Sequence, residues 1–246
     1  MSDFRYVRPD NFPPVVKNLI IINVLFYIAQ AILDSQFHLT EKLMLYPVIP
    51  GKLQELLLQY DVISASQQFK PYQVFTHMFA HAPFPQLYHI IFNMFSLWMF
   101  GRILENVWGG KRFLTFYLLC GIGAAACHLA MQYFRSEQLL QAILDNSADQ
   151  QKYAGALAPA LGASGAIMGV FVAYGYLFPN SQLYIMFFPF PIKAKWAVMG
   201  FAAIDLFGGV ANMKGDNIAH FAHLGGAITG FIIVLIWNKT NRKTLY

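Results

Sequence analysis

Three polar groups sit inside otherwise apolar stretches of the chain: His89 with Asn93, Ser164, and His223. Hydrocarbon offers such groups no partner, so they are candidates for function. A serine beside a histidine is a nucleophile beside its general base. Ser164 stands in Leu161-Gly-Ala-Ser-Gly-Ala-Ile-Met-Gly169. A Gly-flanked serine at a helix start lies next to free backbone N–H groups and the positive end of the helix dipole. Those groups can stabilise a developing oxyanion. His89 and Asn93, four apart, share a helix face and can both donate to the same oxyanion. A Ser-His pair does not require an acid, and none is expected beside this one. Asp205, near the far end of its apolar run, reads as a structural group.

The other histidines invite a metal reading. His77 and His81 are four apart, and His220 and His223 three apart, which is ligand spacing. A zinc protease would carry His-Glu-x-x-His, and the chain has no such motif. No carboxylate accompanies either pair in the outer half of the spans, so neither a metal nor another cofactor is expected. His77 and His81 read as satisfied loop or helix-end groups, His220 as a flanking residue, and His128 as a polar packing residue. Arg102 and Glu105, three apart, read as a structural ion pair. Cys120 and Cys127 would stand roughly 10 Å apart along a helix, too far to bridge.

The elements that must position these groups follow from composition. Of 246 residues 12% are charged, against about 25% in ordinary soluble domains. The hydrophobic fraction is 57% and the mean hydropathy is +0.45. Disorder is excluded, and a soluble globule of this size could not hide so much apolar surface. The net charge of +5 is scattered between uncharged runs rather than gathered in a patch, which argues against nucleic acid as a partner. The reading is an all-α polytopic membrane protein forming one domain over 1–246. Six spans are expected, at 15–33, 88–104, 113–134, 163–178, 196–210 and 217–238. Ala29-Gln30-Ala31 is formally a cleavage-site pattern, but the apolar run continues through Ile32 and Leu33, so the first span reads as retained. A long outer loop covers 34–87. Its Lys52-Leu-Gln-Glu-Leu-Leu-Leu-Gln stretch is amphipathic and is expected at the membrane interface. The loop 135–161 reads as polar and outside the membrane.

Depth and spacing bring the polar groups together. Ser164 lies 14 steps from Phe178 and His223 14 steps from Trp237, or about 21 Å each at 1.5 Å per residue. His89 lies 15 steps from Leu104, or about 22 Å. All three therefore occupy one layer, several Å below the outer boundary of a core about 30 Å thick. Gly165, Gly169 and Ala173 form a ridge of small residues, as do Ala222, Gly226 and Gly230. Such ridges let helices approach closely, which would bring the Ser164 hydroxyl to the His223 imidazole.

With these residues in view, the chain resembles the rhomboid family of intramembrane serine proteases. The resemblance runs from about Val74 to Gly230. It rests on Gly162-Ala-Ser-Gly165, His89-Ile-Ile-Phe-Asn93, Ala222-His-Leu-Gly-Gly226 and Gly101-Arg-Ile-Leu-Glu-Asn-Val-Trp-Gly109, in order along the chain. It implies a six-helix rhomboid-like bundle with Ser164 as nucleophile and His223 as base. It also implies an oxyanion hole of the Ser164 N–H, His89 and Asn93, with Gly162 and Met168 at the substrate. Two positions depart from the family pattern. Met168 stands where an aromatic residue often packs on the catalytic histidine, and Tyr72-Gln73 stands near a common Trp-Arg pair. The spacing from His81 to His89, with Pro83 and Pro85 between, is also longer than the pattern.

The function implied is hydrolysis of peptide bonds in or beside transmembrane segments. The substrates would be single-pass or polytopic membrane proteins, and the other partner the lipid bilayer. A catalytically inactive rhomboid-like binding protein is the alternative. A transporter is disfavoured by the lack of paired intramembrane carboxylates and of an inverted repeat. The short tails without an evident transit peptide point to a bacterial cytoplasmic membrane. Arg5, Arg8 and Lys17, Arg102, Lys111 and Arg112, Lys193 and Lys195, and Lys239, Arg242 and Lys243 fall on one side of a six-span chain. The positive-inside rule then puts both termini in the cytoplasm. Cysteines placed at Asp3 and Thr244 should both react only with reagents that reach the inner face; labelling of either from outside overturns the topology.

Overall fold

The computed structural model describes residues 9–148, 155–184, 190–211 and 219–240. Arg5, Arg8, Arg242 and Lys243, together with positions 217 and 218 of the last expected span, lie outside them. The chain forms α1 (Pro14–Phe37), then the short helices α2 (Leu39–Leu43), α3 (Gly51–Gln59) and α4 (Gln73–Thr76). Next, α5 (Leu87–Ser96) runs through a π-helical turn (Leu97–Gly101) into α6 (Arg102–Trp108). The long helices α7 (Gly110–Leu144), α8 (Ser164–Leu177), α9 (Ala194–Ala211) and α10 (His220–Thr240) complete the bundle. A two-stranded hairpin pairs β1 (Gln182–Leu183) with β2 (Ile192–Lys193), and Leu45 bridges Ala160.

Among the described residues four helices are long and apolar enough to cross a membrane: Pro14–Phe37, Leu87–Trp108, Gly110–Leu144 and His220–Lys239. They wear exposed apolar side chains outward, such as Leu25, Ile32, Phe92 and Ile232, as a lipid-facing surface requires. Helix α8 is different. It is apolar on every side and nearly every residue from Gly165 to Gly175 is buried, which is the pattern of a helix enclosed by others. Its 14 residues reach only about 21 Å, so its first residue, Ser164, starts part-way into the bundle.

The small ridges meet. A side chain on Gly226 would fall on the Gly165 carbonyl oxygen, and one on Gly230 would stand 2.7 Å from the Gly169 Cα. On the other side of α8, Gly169 faces Cys120 of α7. Backbone therefore lies on backbone between α8 and α10, a contact that side chains of any size would open.

Two expectations are corrected. The helix expected at 113–134 extends through Leu144, so Arg135 lies in helix α7 and not in a loop. The reason is packing: the added turns bury Leu140 against Leu53 and Leu57 of α3, with Leu139 and Ile143 beside them. The same contact lays the apolar face of the 52–59 stretch on α7. Finally, Arg102 and Glu105 do not pair. Helix α1 opens on Pro13-Pro14, and its N–H groups at Val15 and Val16 donate to the two carboxylate oxygens of Glu105 at 2.9 and 2.8 Å. A buried carboxylate at a helix start satisfies both N–H groups and the dipole. Arg102 donates to Asn11 Oδ1 at 3.1 Å and lies 4.3 Å over the Trp98 ring.

The α8–α10 contact yields a paired test. Gly226→Ala puts a methyl group against backbone that no rotamer change can relieve, and should lower stability by at least about 3 kcal/mol. Gly200→Ala, where a methyl group meets nothing within 4 Å, should leave stability unchanged or raised. Thermal unfolding in detergent micelles measures both.

Candidate active site

Three anchors hold the segment that leads into Ser164. Gln132 Nε2 of α7 donates to the carbonyls of Gly155 and Ala158, both at 2.8 Å. Ala160 exchanges two backbone hydrogen bonds with Leu45, at 2.8 and 2.9 Å. The Gly162 N–H donates to the His77 carbonyl at 2.8 Å. Gly162 has φ +115°, a conformation costly for a residue with a side chain. The turn it makes delivers Ser164 as the first residue of α8.

At that position the Ser164 hydroxyl lies 2.8 Å from His223 Nε2. His223 Nδ1 in turn lies 3.0 Å from Asp205 Oδ1. The same carboxylate oxygen takes His220 Nδ1 at 2.8 Å. An ionised carboxylate only accepts, so both imidazoles carry their proton on Nδ1. His223 Nε2 is then left with a lone pair aimed at the serine O–H, the tautomer a general base needs. Asp205 is buried and joins the residues that sequence reasoning missed. The expectation that no acid stands beside the pair is corrected. Helix α9 runs antiparallel to α10, so the far end of α9 is the end level with the start of α10. Arg135 of α7 strengthens this corner, donating to the Gly209 carbonyl while its guanidinium lies 5.1 Å over Phe221. An acid near the end of one apolar run, followed by a His-x-x-His start to the next, is the signal that could have found it.

His89 approaches Ser164 from the other side. A methyl group built on Gly162 would stand 3.1 Å from His89 Nε2 and 3.6 Å from Ser164 Oγ. The missing side chain therefore leaves a gap between the imidazole and the hydroxyl. The Ala82 N–H donates to His89 Nδ1 at 3.0 Å, which places the proton of the neutral ring on Nε2, facing that gap. Asn93 donates from Nδ2 to the His89 carbonyl at 2.7 Å. Its Oδ1 is buried with no hydrogen-bond partner, and its second N–H remains.

Met168, one turn below Ser164, lines a cavity of about 260 Å³ with Phe92 and Phe95 of α5, Phe171 of α8, and Ala197 and Phe201 of α9. Helices α5 and α9 barely touch, so this apolar groove opens sideways between them. Gln73, expected near the place of a family arginine, is buried and accepts from the Lys70 N–H at 3.0 Å. Tyr72 beside it is exposed.

His77 and His81 are held by the scaffold. His77 Nδ1 donates to the Gln73 carbonyl at 2.9 Å, and burial pushes its pKa down to about 4 although the backbone carbonyls of Gln73 and Val74 favour the protonated ring. Burial, and then the neighbouring His89, push His81 down to about 3. Among the described residues no three His, Cys, Asp or Glu side chains are arranged to hold a metal ion.

A serine at the start of a central helix is thus bonded to a histidine of a neighbouring helix inside an apolar bundle. The chain belongs to the Rhomboid family, whose Rhomboid domain matches residues 68–239. It is 27% identical over 177 residues to the mitochondrial Rhomboid protein 1 of Saccharomyces cerevisiae, covering 72% of this chain and 43% of that protein. It is 30% identical over 204 residues to the mitochondrial presenilin-associated rhomboid-like protein of Homo sapiens, covering 78% and 46%. To Rhomboid protease AarA of Providencia stuartii it is 27% identical over 161 residues, covering 61% and 50%. The chain thus spans about half the length of these relatives.

Asp205→Asn removes an acceptor-only group from His223 Nδ1 and admits the opposite tautomer. The rate at which a fluorophosphonate labels Ser164 should fall at least about tenfold, as when a triad aspartate is replaced. An unchanged rate would reduce Asp205 to a packing group.

Proposed function

We propose that the chain is a serine endopeptidase that cleaves peptide bonds in or beside transmembrane segments of other membrane proteins. The Ser164–His223 hydrogen bond at 2.8 Å, inside an apolar bundle, is the observation that carries this reading. The word protease in the name of the Providencia stuartii relative adds support at the level of the family.

His223 Nε2 takes the proton from Ser164 Oγ as the oxygen attacks the scissile carbonyl carbon. The carbonyl oxygen becomes an oxyanion in the gap beside Gly162, which His89 Nε2 borders, and the Ser164 N–H and the second N–H of Asn93 are the other donors assigned to it. Asp205 faces the imidazolium that forms. His223 then gives its proton to the leaving amine as the C–N bond breaks, and a water deprotonated by the same nitrogen hydrolyses the acyl-serine. No metal or cofactor enters these steps. A substrate helix enters sideways by the groove of Met168, and a side chain next to the cut bond fills it.

The proposal includes six spans, with α8 and α9 crossing beside the four long helices, and one membrane domain over the whole chain. The mitochondrial relatives do not fit the bacterial cytoplasmic membrane expected from the tails, whereas the Providencia stuartii relative does. The location proposed is therefore an integral membrane position with Ser164 near the face opposite the termini.

Cleavage of a reporter with one transmembrane segment, reconstituted with the pure protein in liposomes, tests the activity. Ser164→Ala and His223→Ala should each abolish cleavage, and the double variant should be no worse than either, because the two act as one unit. Persistence of cleavage in Ser164→Ala would overturn the reading in favour of a binding protein with a contaminating protease.

A further inference from the structure

Helix α1 lies outside the matched Rhomboid region, yet two of its buried polar residues lead to the site. Asn23 and Gln30, two turns apart, are 0% and 1% exposed. Both grip His81. Gln30 Oε1 accepts the His81 N–H at 3.0 Å and Gln30 Nε2 donates to the His81 carbonyl at 3.0 Å, while also donating to Thr40 Oγ1 at 2.8 Å. The side-chain amide thus pairs with the His81 backbone as a neighbouring strand would. Asn23 Nδ2 donates to the Leu19 carbonyl at 2.8 Å, so its Oδ1 is the atom facing His81 Nε2 at 2.9 Å. That makes the imidazole the donor there.

His81 is not itself at the serine. Its ring stands edge-on to the His89 ring, with centroids 5.4 Å apart. The next residue, Ala82, supplies the N–H that holds His89 Nδ1. A peptide clamped on both sides of His81 has little freedom at Ala82, and the direction of the Ala82 N–H decides which nitrogen of His89 carries the proton. From this chain of contacts we propose that Gln30, aided by Asn23, is a positioning residue for the oxyanion donor: it fixes the His81–Ala82 peptide so that His89 presents Nε2–H toward Ser164. The inference rests on the oxyanion role proposed for His89.

The alternative role for Gln30 is to satisfy polar backbone in an apolar bundle, and the two make different predictions. The full-length protein in liposomes is compared with Gln30→Leu, His89→Ala and the double variant, reading kcat and KM for the transmembrane reporter. Gln30→Leu should lower kcat about tenfold with KM unchanged, a part of the 10²–10³ that loss of a whole oxyanion donor costs. In the His89→Ala background the same change should have no further effect, because a residue acting through His89 has nothing left to orient. Nitrogen-15 shifts of labelled histidine should report the Nε2–H form of His89 in the parent and a mixture in Gln30→Leu. If Gln30→Leu does not fold, Gln30→Glu serves. It keeps the acceptor for the His81 N–H, loses both donors, and should show the same kcat loss and tautomer mixing. Full additivity with His89→Ala, or an unshifted tautomer in either variant, overturns the positioning role. If His89→Ala itself leaves kcat intact, the oxyanion reading falls instead.

Discussion

Everything at the candidate site depends on how closely α8 and α10 approach. The serine is the first residue of one helix and the histidine lies in the first turn of the other. A separation of 2.8 Å between their side chains leaves no room for bulk between the axes. Gly165 against Gly226, and Gly169 against Gly230, remove that bulk. Water does not drive this association in a bilayer, since lipid tails are as apolar as leucine; close packing and polar contacts must do so. The glycines permit the packing, and the Ser164–His223–Asp205 chain supplies polar contacts at the same end of the bundle.

The polar groups form a second layer of constraint. A lone imidazole or amide inside such a bundle would be costly, so each is tied to another element. Asp205 of α9 holds two histidines of α10. Glu105 of α6 holds the start of α1. Asn23 and Gln30 of α1 hold His81 before α5. Each tie joins one helix to another or to the segment before it, and each fixes the orientation of a side chain or a helix start. His223 and His89 each have one ring nitrogen fixed by the scaffold, which leaves the other nitrogen facing Ser164.

Much of this was legible in the sequence because it rests on periodicity. The ridges of small residues repeat every four positions, so the meeting of Ser164 with His223 could be read from spacing and depth. The apolar runs located the ends of the long helices to within about four residues, except the C-terminal end of α7, which lies ten residues further on. What could not be read were interactions set by a partner far along the chain. Leu139, Leu140 and Ile143 look like residues of a polar loop until α3 is laid against them. Glu105 pairs with Arg102 on a helical wheel, but the unfilled N–H groups of Val15 and Val16 compete more strongly and win. Asp205 was misread through direction: the end of a helix that seems remote along the chain is adjacent once the next helix turns back beside it.

The Rhomboid match starts at residue 68, which would leave α1 as an appendage. Its contacts argue otherwise. Val16, Leu19 and Tyr27 belong to the same buried core as Phe113, Tyr117 and Val170 of α7 and α8. Its first turn is capped by Glu105 from within the matched region. Its last third clamps the peptide on which the orientation of His89 depends. An apolar helix held only by lipid would need none of these polar residues, and Asn23 and Gln30 would be a burden in hydrocarbon. Their burial against His81 instead ties α1 to the segment that leads into α5.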